Sequence, residues 1–205
     1  MRFIIVPGWN GSDHHHWQSA WQSRWLPNAT RIAPRSWSHP ELNDWLRALD
    51  VAANSDADGN DDGEKGLLLI AHSVGCYAAV HWLTSEREAG PSLTRPQGPA
   101  VRGLFLVAPP DSLAPTFPSD LLGPFAKPPA NPISVPAVIV ASSDDPYCSL
   151  NAATRLAEDW QVPVVDVGPA GHINSDSTLG LWPIGQSLLT SFMAGLGMHT
   201  RRVSP

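Results

Sequence analysis

Gly66-Leu67-Leu68-Leu69-Ile70-Ala71-His72-Ser73-Val74-Gly75 is a short apolar run that ends in a small-x-Ser-x-Gly turn. The residues after it, with Ala79, Trp82 and Leu83 on one side, read as a helix. A buried strand, a sharp turn carrying a serine and then a helix is the layout of a nucleophile elbow. The turn needs small residues two before and two after the serine, because strand and helix approach closely there. Ala71 and Gly75 meet that need.

The rest of the chain repeats the strand-then-helix rhythm. Phe3 to Val6, Gly103 to Ala108, Ala137 to Ala141 and Val162 to Val167 are apolar runs bounded by Pro, Gly or polar residues, and Arg31 to Ala33 reads as a further short strand. Their near-continuous apolarity predicts a sheet covered on both faces. Between them, Trp17, Trp21 and Trp25 recur every four residues, and Leu42, Trp45, Leu46 and Leu49 share one helix face. Leu150, Ala153, Ala157 and Trp160, then Ile184, Leu188 and Phe192, keep the same period. Alternating strands and helices predict an α/β fold with a mostly parallel central sheet. The helical spacing of most of the nine tryptophans favours core packing over a sugar-stacking platform.

The 205 residues suffice for one domain with a full core, 42% of them are hydrophobic and only 16% charged. A net charge of −6 gives no electrostatic reason for nucleic acid or an anionic membrane as partner. The apolar start is broken at Pro7-Gly8, too early for a signal-peptide core, so a soluble cytoplasmic protein is expected. Cys76 and Cys148 are too few for a disulfide framework and are read as free thiols.

Two segments interrupt the rhythm. Residues 54–65 read as an acidic surface loop. It partly matches a calcium loop, but Lys65 stands where a bidentate glutamate is needed. Residues 109–132 hold eight prolines, too many for a long helix, and come after a strand's C-terminal end, where open α/β sheets place their ligand crevice. They are expected to cap the site. Residues 197–205 are expected to fray. His14-His15-His16 resembles a metal clip, yet adjacent histidines do not easily converge on one ion. A structural role is expected, with Ser12 or Asp13 capping the next helix. No metal and no cofactor is expected.

Serine-based acyl transfer needs a hydroxyl, a base, a carboxylate to orient the base and backbone donors for the oxyanion. In the elbow layout the partners come in the order serine, acid, histidine. The strand ending at Ala141 runs into Ser142-Ser143-Asp144-Asp145-Pro146, and the next one runs into Gly168-Pro169-Ala170-Gly171-His172. Both groups therefore fall at the same sheet edge as Ser73. Spacing does not choose between Asp144 and Asp145; the other aspartate is expected to cap the turn or the next helix. The N–H of Val74 is the first expected oxyanion donor, and the N–H of Trp9, after the strand Phe3 to Val6 and Gly8, is the second. Asn10, His72 and Cys148 are candidate pocket residues.

Pro7-Gly8-Trp9-Asn10-Gly11-Ser12, His16-Trp17-Gln18, His72-Ser73-Val74-Gly75, Ser143-Asp144-Asp145-Pro146 and Gly171-His172-Ile173-Asn174 together resemble the small serine hydrolases related to retinoblastoma-binding protein 9 and bacterial YdeN. The resemblance covers most of the chain. It implies a compact α/β-hydrolase fold without a separate lid domain, with Ser73 as nucleophile, His172 as base and Asp145 as the acid. Ala71 departs from the family's usual glycine, and the 54–65 and 109–132 segments are particular to this chain. The expected activity is cleavage of an ester or related acyl bond of a small substrate through an acyl-enzyme on Ser73. The alternatives are a hydrolase-like protein-binding module with vestigial catalysis, or an acyltransferase or thioesterase using the same residues. The Leu-x-Cys-x-Glu peptide associated with retinoblastoma binding is absent.

Overall fold

The computed structural model describes residues 1–55, 66–88, 100–125, 127 and 129–199. Six strands form one parallel sheet: β1 (Arg2–Val6), β2 (Thr30–Arg31), β3 (Leu67–His72), β4 (Val101–Val107), β5 (Ala137–Ala141) and β6 (Val164–Asp166), in the spatial order β2-β1-β3-β4-β5-β6. The helices are α1 (Trp17–Arg24), α2 (Leu42–Asn54), α3 (Val74–Glu88), the short α4 (Ser119–Leu122), α5 (Leu150–Trp160) and α6 (Pro183–His199).

Strand residues alternate between two buried faces, which is why the sequence shows runs rather than alternation. Leu67, Leu69 and Ala71 pack with α2, α3 and α5 through Trp45, Leu49, Tyr77 and Trp160. Leu68 and Ile70 pack with α1 and α6 through Trp17, Trp21 and Leu189. Trp17, Trp21, Trp45 and Trp160 are all buried, so the helical tryptophans serve the core. Trp17 contacts Trp21 edge-on at 4.5 Å and Trp182 at 5.0 Å.

The expected elements form, with shifted ends that have local causes. β6 is shorter than the run Val162 to Val167: the Val162 N–H turns back to the Ala157 carbonyl at the end of α5, and Pro163 has no N–H to give. β4 ends before Ala108, whose φ of 50° leaves the extended region. β2 sits one residue earlier than expected and ends at Arg31. Asn54 closes α2 instead of opening a loop. Positions 56–65, where the acidic loop and calcium-like pattern fall, lie outside the described residues. α6 continues to His199, into the stretch expected to fray, and 200–205 lie outside the description.

Among the described residues of 109–132 the helical pieces are α4 and a single 3-10 turn, Gly123–Phe125, in keeping with the proline content. Among the described residues no helix is long and apolar enough to cross a membrane.

The strand order places β2 and β3 on opposite sides of β1. Chain connections therefore diverge between β1 and β3, and their carboxyl ends open into a crevice of the kind where open α/β sheets bind ligands.

Candidate active site

Ser73 occupies the turn between β3 and α3 with φ of 54°. A left-handed conformation costs a non-glycine residue about 1–2 kcal/mol, so its surroundings must hold it there. Its own N–H is held by the Val107 carbonyl at 2.9 Å. Gly75 explains the tight helix entry: a Cβ there would lie 2.3 Å from the Pro7 carbonyl oxygen and 2.6 Å from that of Val6. Ala71, two residues before the serine, is wholly buried in β3.

His172 lies after β6, and Asp145 after β5. The His172 Nδ1–H faces both Asp145 carboxylate oxygens at 3.0 and 2.9 Å. That fixes Nε2 as the acceptor for the Ser73 hydroxyl, at 2.9 Å. The Asp145 side chain is 2% exposed, so the contact is shielded from water. Asp145 also accepts the Tyr147 N–H at 2.8 Å.

Asp144 points elsewhere. Its Oδ1 accepts the Gly171 N–H at 2.7 Å and the Ser142 hydroxyl at 2.8 Å, and these bonds hold its carboxyl below the usual range. It thus braces the loop that carries His172. The next helix, α5, is capped by Ser149, whose hydroxyl accepts the Ala152 N–H.

The His16-Trp17-Gln18 stretch braces the same region. Trp17 Nε1–H donates to the Ile173 carbonyl at 2.8 Å, and Gln18 Nε2–H donates to the Ile70 carbonyl at 3.0 Å. His72 Nε2–H donates to the His172 carbonyl at 3.0 Å. His16, rather than Ser12 or Asp13, is the N-cap of α1: its Nδ1 accepts the Gln18 N–H at 3.1 Å. Asp13 instead accepts the His15 and His16 N–H groups one turn earlier. The His16 ring meets His72 at 4.7 Å, and His72 meets His172 at 5.0 Å. Burial keeps the His16 and His72 rings neutral, pushing His16 down to about 3 and His72 well below the ordinary histidine value. Among the described residues no group of three or more His, Cys, Asp or Glu side chains is arranged to hold a metal ion.

A cleft of about 350 Å³ opens over Ser73 and His172. Trp9, Asn10, His72 and Val74 line it. Among the described residues the N–H groups of Trp9 and Val74 donate to no protein acceptor. Asn10 and Gly11, with φ of 63° and 76°, turn the loop after β1 so that the Gly11 N–H returns to the Gly8 carbonyl at 2.9 Å.

Cys148 is a correction. It does not line the cleft but faces the core beneath α5, and burial pushes its thiol up to about 12. Tyr147 takes the place at the cleft and meets the His172 ring edge-on at 4.7 Å. Cys76 is buried in α3. From 109–132, Phe117, Pro118 and Leu122 reach the cleft. Asp13, read from the sequence only as a helix cap, also lines it, as do Ser175 and Asp176, for which the sequence carries no signal because no periodic pattern marks loop residues.

A parallel sheet in this strand order, with its serine on a left-handed elbow and its histidine on the loop after the last strand, defines an α/β hydrolase. The chain belongs to the serine hydrolase family, whose model, described as Serine hydrolase, matches residues 3–191. A YdeN-like hydrolase from Pectobacterium atrosepticum is 32% identical with a TM-score of 0.74, over 95% of this chain and 91% of its own. The ydeN gene product of B. subtilis is 22% identical with a TM-score of 0.70, over 94% and 98%. Est1E from Butyrivibrio proteoclasticus, solved with ferulic acid bound, shares the fold at 14% identity and a TM-score of 0.62, over 94% and 89%. No curated protein sequence matches the chain.

Proposed function

We propose that this hydrolase cleaves an ester or related acyl bond of a small substrate through an acyl-enzyme on Ser73. The carrying observation is the continuous hydrogen-bonded line from Ser73 Oγ through His172 to Asp145, at 2.9 Å on the serine side and 2.9–3.0 Å on the acid side. His172 Nε2 takes the hydroxyl proton while Ser73 Oγ attacks the acyl carbon. Asp145 fixes the tautomer and stabilises the imidazolium that forms. The negative charge that develops on the carbonyl oxygen is met by the N–H groups of Trp9 and Val74, a contribution of about 3–4 kcal/mol per donor. When the carbonyl re-forms, the bond to the leaving alcohol breaks and His172 returns the proton to it. Water, activated by the same imidazole, then attacks the acyl-enzyme, releases the acid and restores Ser73.

The cleft volume of about 350 Å³ lies near the lower end of small-molecule sites, which supports a small substrate. The test is hydrolysis of a short p-nitrophenyl ester, together with labelling by a fluorophosphonate. Wild type should turn over the ester and bind the probe, and Ser73→Ala should do neither. Equal turnover by the two proteins refutes the reading.

A further inference from the structure

The cleft carries a one-sided charge. Asp13, Asp111 and Asp176 line it, and among the described residues no lysine or arginine does. Asp111 is shared with Arg155 at 3.5 Å. Asp13 spends its hydrogen bonds on neutral groups: the Ser175 hydroxyl at 2.8 Å and two backbone N–H groups. These bonds leave its negative charge in place. The histidines that line the floor, His16 and His72, are buried and uncharged, so they do not offset it.

The carboxylates are not spread evenly about the reaction centre. Asp176 stands on the loop that continues from His172, and Asp13 is bonded to Ser175 of that loop. The leaving alcohol must take its proton from His172 Nε2, so it departs on this side of the cleft. Tyr147, packed against the His172 ring and 53% exposed, adds an aromatic surface there, and Trp9, 40% exposed, adds another to the cleft. Carboxylates beside open aromatic faces attract cations and repel anions.

We propose that the cleft selects esters whose alcohol portion carries a positive charge. This rests on the reading of Ser73 and His172 as the hydrolytic pair. It adds that alcohols bearing phosphate or carboxylate groups are poor substrates, because their charge would enter the same carboxylate-lined side.

The test compares the acetate ester of choline with 3,3-dimethylbutyl acetate, its uncharged isostere. Hydrolysis is tracked by acid release at about pH 8, well above the ordinary histidine value. At low salt the choline ester should have kcat/KM about fivefold or more above the isostere, and the ratio should shrink in about 0.5 M salt. Asp176→Asn and Asp13→Asn should each bring the ratio toward one. The asparagine at 13 keeps an oxygen acceptor for Ser175, and the variant at the exposed position 176 gives a second reading if Asp13→Asn folds poorly. A wild-type ratio of one or less, a ratio that neither variant moves, or turnover of p-nitrophenyl acetate without turnover of the choline ester overturns the proposal. Failure of the hydrolytic reading looks different: wild type would not exceed Ser73→Ala on any of the three esters.

Discussion

Gly8 and Ser73 touch. A Cβ built on Gly8 would lie 2.7 Å from the Ser73 Cβ and 3.3 Å from its Oγ. The glycine after β1 is therefore required by the serine after β3, across the crevice between the two strands. Gly8→Ala must push the loop bearing Trp9 away from Ser73 or turn the serine out of line with His172. A displacement of about 1 Å can cost on the order of 10²-fold in rate. The expected outcome is a kcat for p-nitrophenyl acetate reduced by about that factor, in a protein whose circular dichroism is unchanged.

Gly75→Ala should act on folding before it acts on rate. The added methyl would strike the carbonyl oxygens of Pro7 and Val6, backbone atoms of β1 and the loop after it that have no rotamer to change. Overpacking of this kind costs about 1–3 kcal/mol or more. At roughly 2–4 °C per kcal/mol for a chain of this size, a fall in Tm of about 6–12 °C is expected for a cost near the top of that range. Thermal melting of the purified variant gives the answer directly.

The fold was legible because its evidence lies in local runs. Leu67 to Ala71 is apolar on both sides of the strand because both sheet faces are buried, and the helices carry their own period. Ser73, Asp145 and His172 were legible as groups because each comes just after a strand, and parallel strands deliver their C-terminal loops to one edge. The division of labour between Asp144 and Asp145 was not legible from spacing. Adjacent residues share a strand end, and only the loop's own hydrogen bonds turn one carboxylate to His172 and the other to Gly171. Cys148 failed for the same reason, one residue from Tyr147 but turned into the core. Asp13 and Asp176 reach the cleft through loop packing, and His16 caps α1 with a ring nitrogen rather than the serine or aspartate that helix-start rules favour.

Buried and half-buried histidines make stability depend on pH above the carboxylate range. His16, His72 and His81 all have folded-state pKa values below the ordinary one, chiefly through burial. Below about pH 6.5 the unfolded chain takes up protons that the folded chain refuses, so stability falls as pH falls. His16, pushed down to about 3, contributes across the whole window from 6.5 downward. By about pH 4.5 its share approaches 2–3 kcal/mol. Asp13 and Asp144 have lowered pKa values, so the stability they add is present above the unfolded carboxylate value near 4 and is lost only below it. Between about pH 6.5 and 4.5 the loss from these histidines therefore comes before the loss from Asp13 and Asp144. His16→Asn keeps a side-chain cap for α1 but cannot titrate. Its Tm should fall less than that of wild type over this interval, by about 4–12 °C. Parallel melting curves for the two proteins would contradict this account of His16.

Asp145 and Asp144 separate the rate of reaction from the shape of the loop. Asp145 gives both oxygens to His172 Nδ1–H from a nearly buried position, so Asp145→Asn replaces an acceptor with a group that can present an N–H to the ring. The ring then favours the tautomer with its proton on Nε2, which cannot accept from Ser73. Loss of the orienting carboxylate in this arrangement costs about 10⁴ in kcat. Asp144→Asn keeps an oxygen for the Gly171 N–H and the Ser142 hydroxyl, and no atom of Asp144 meets the ring. Its kcat should fall by about tenfold or less, with the larger effect on the melting temperature. Steady-state rates on p-nitrophenyl acetate, measured beside thermal melts of both variants, distinguish the roles. If Asp144→Asn proved the slower enzyme, His172 would have to take its orientation from the wrong side of the loop, against the hydrogen bonds that hold it.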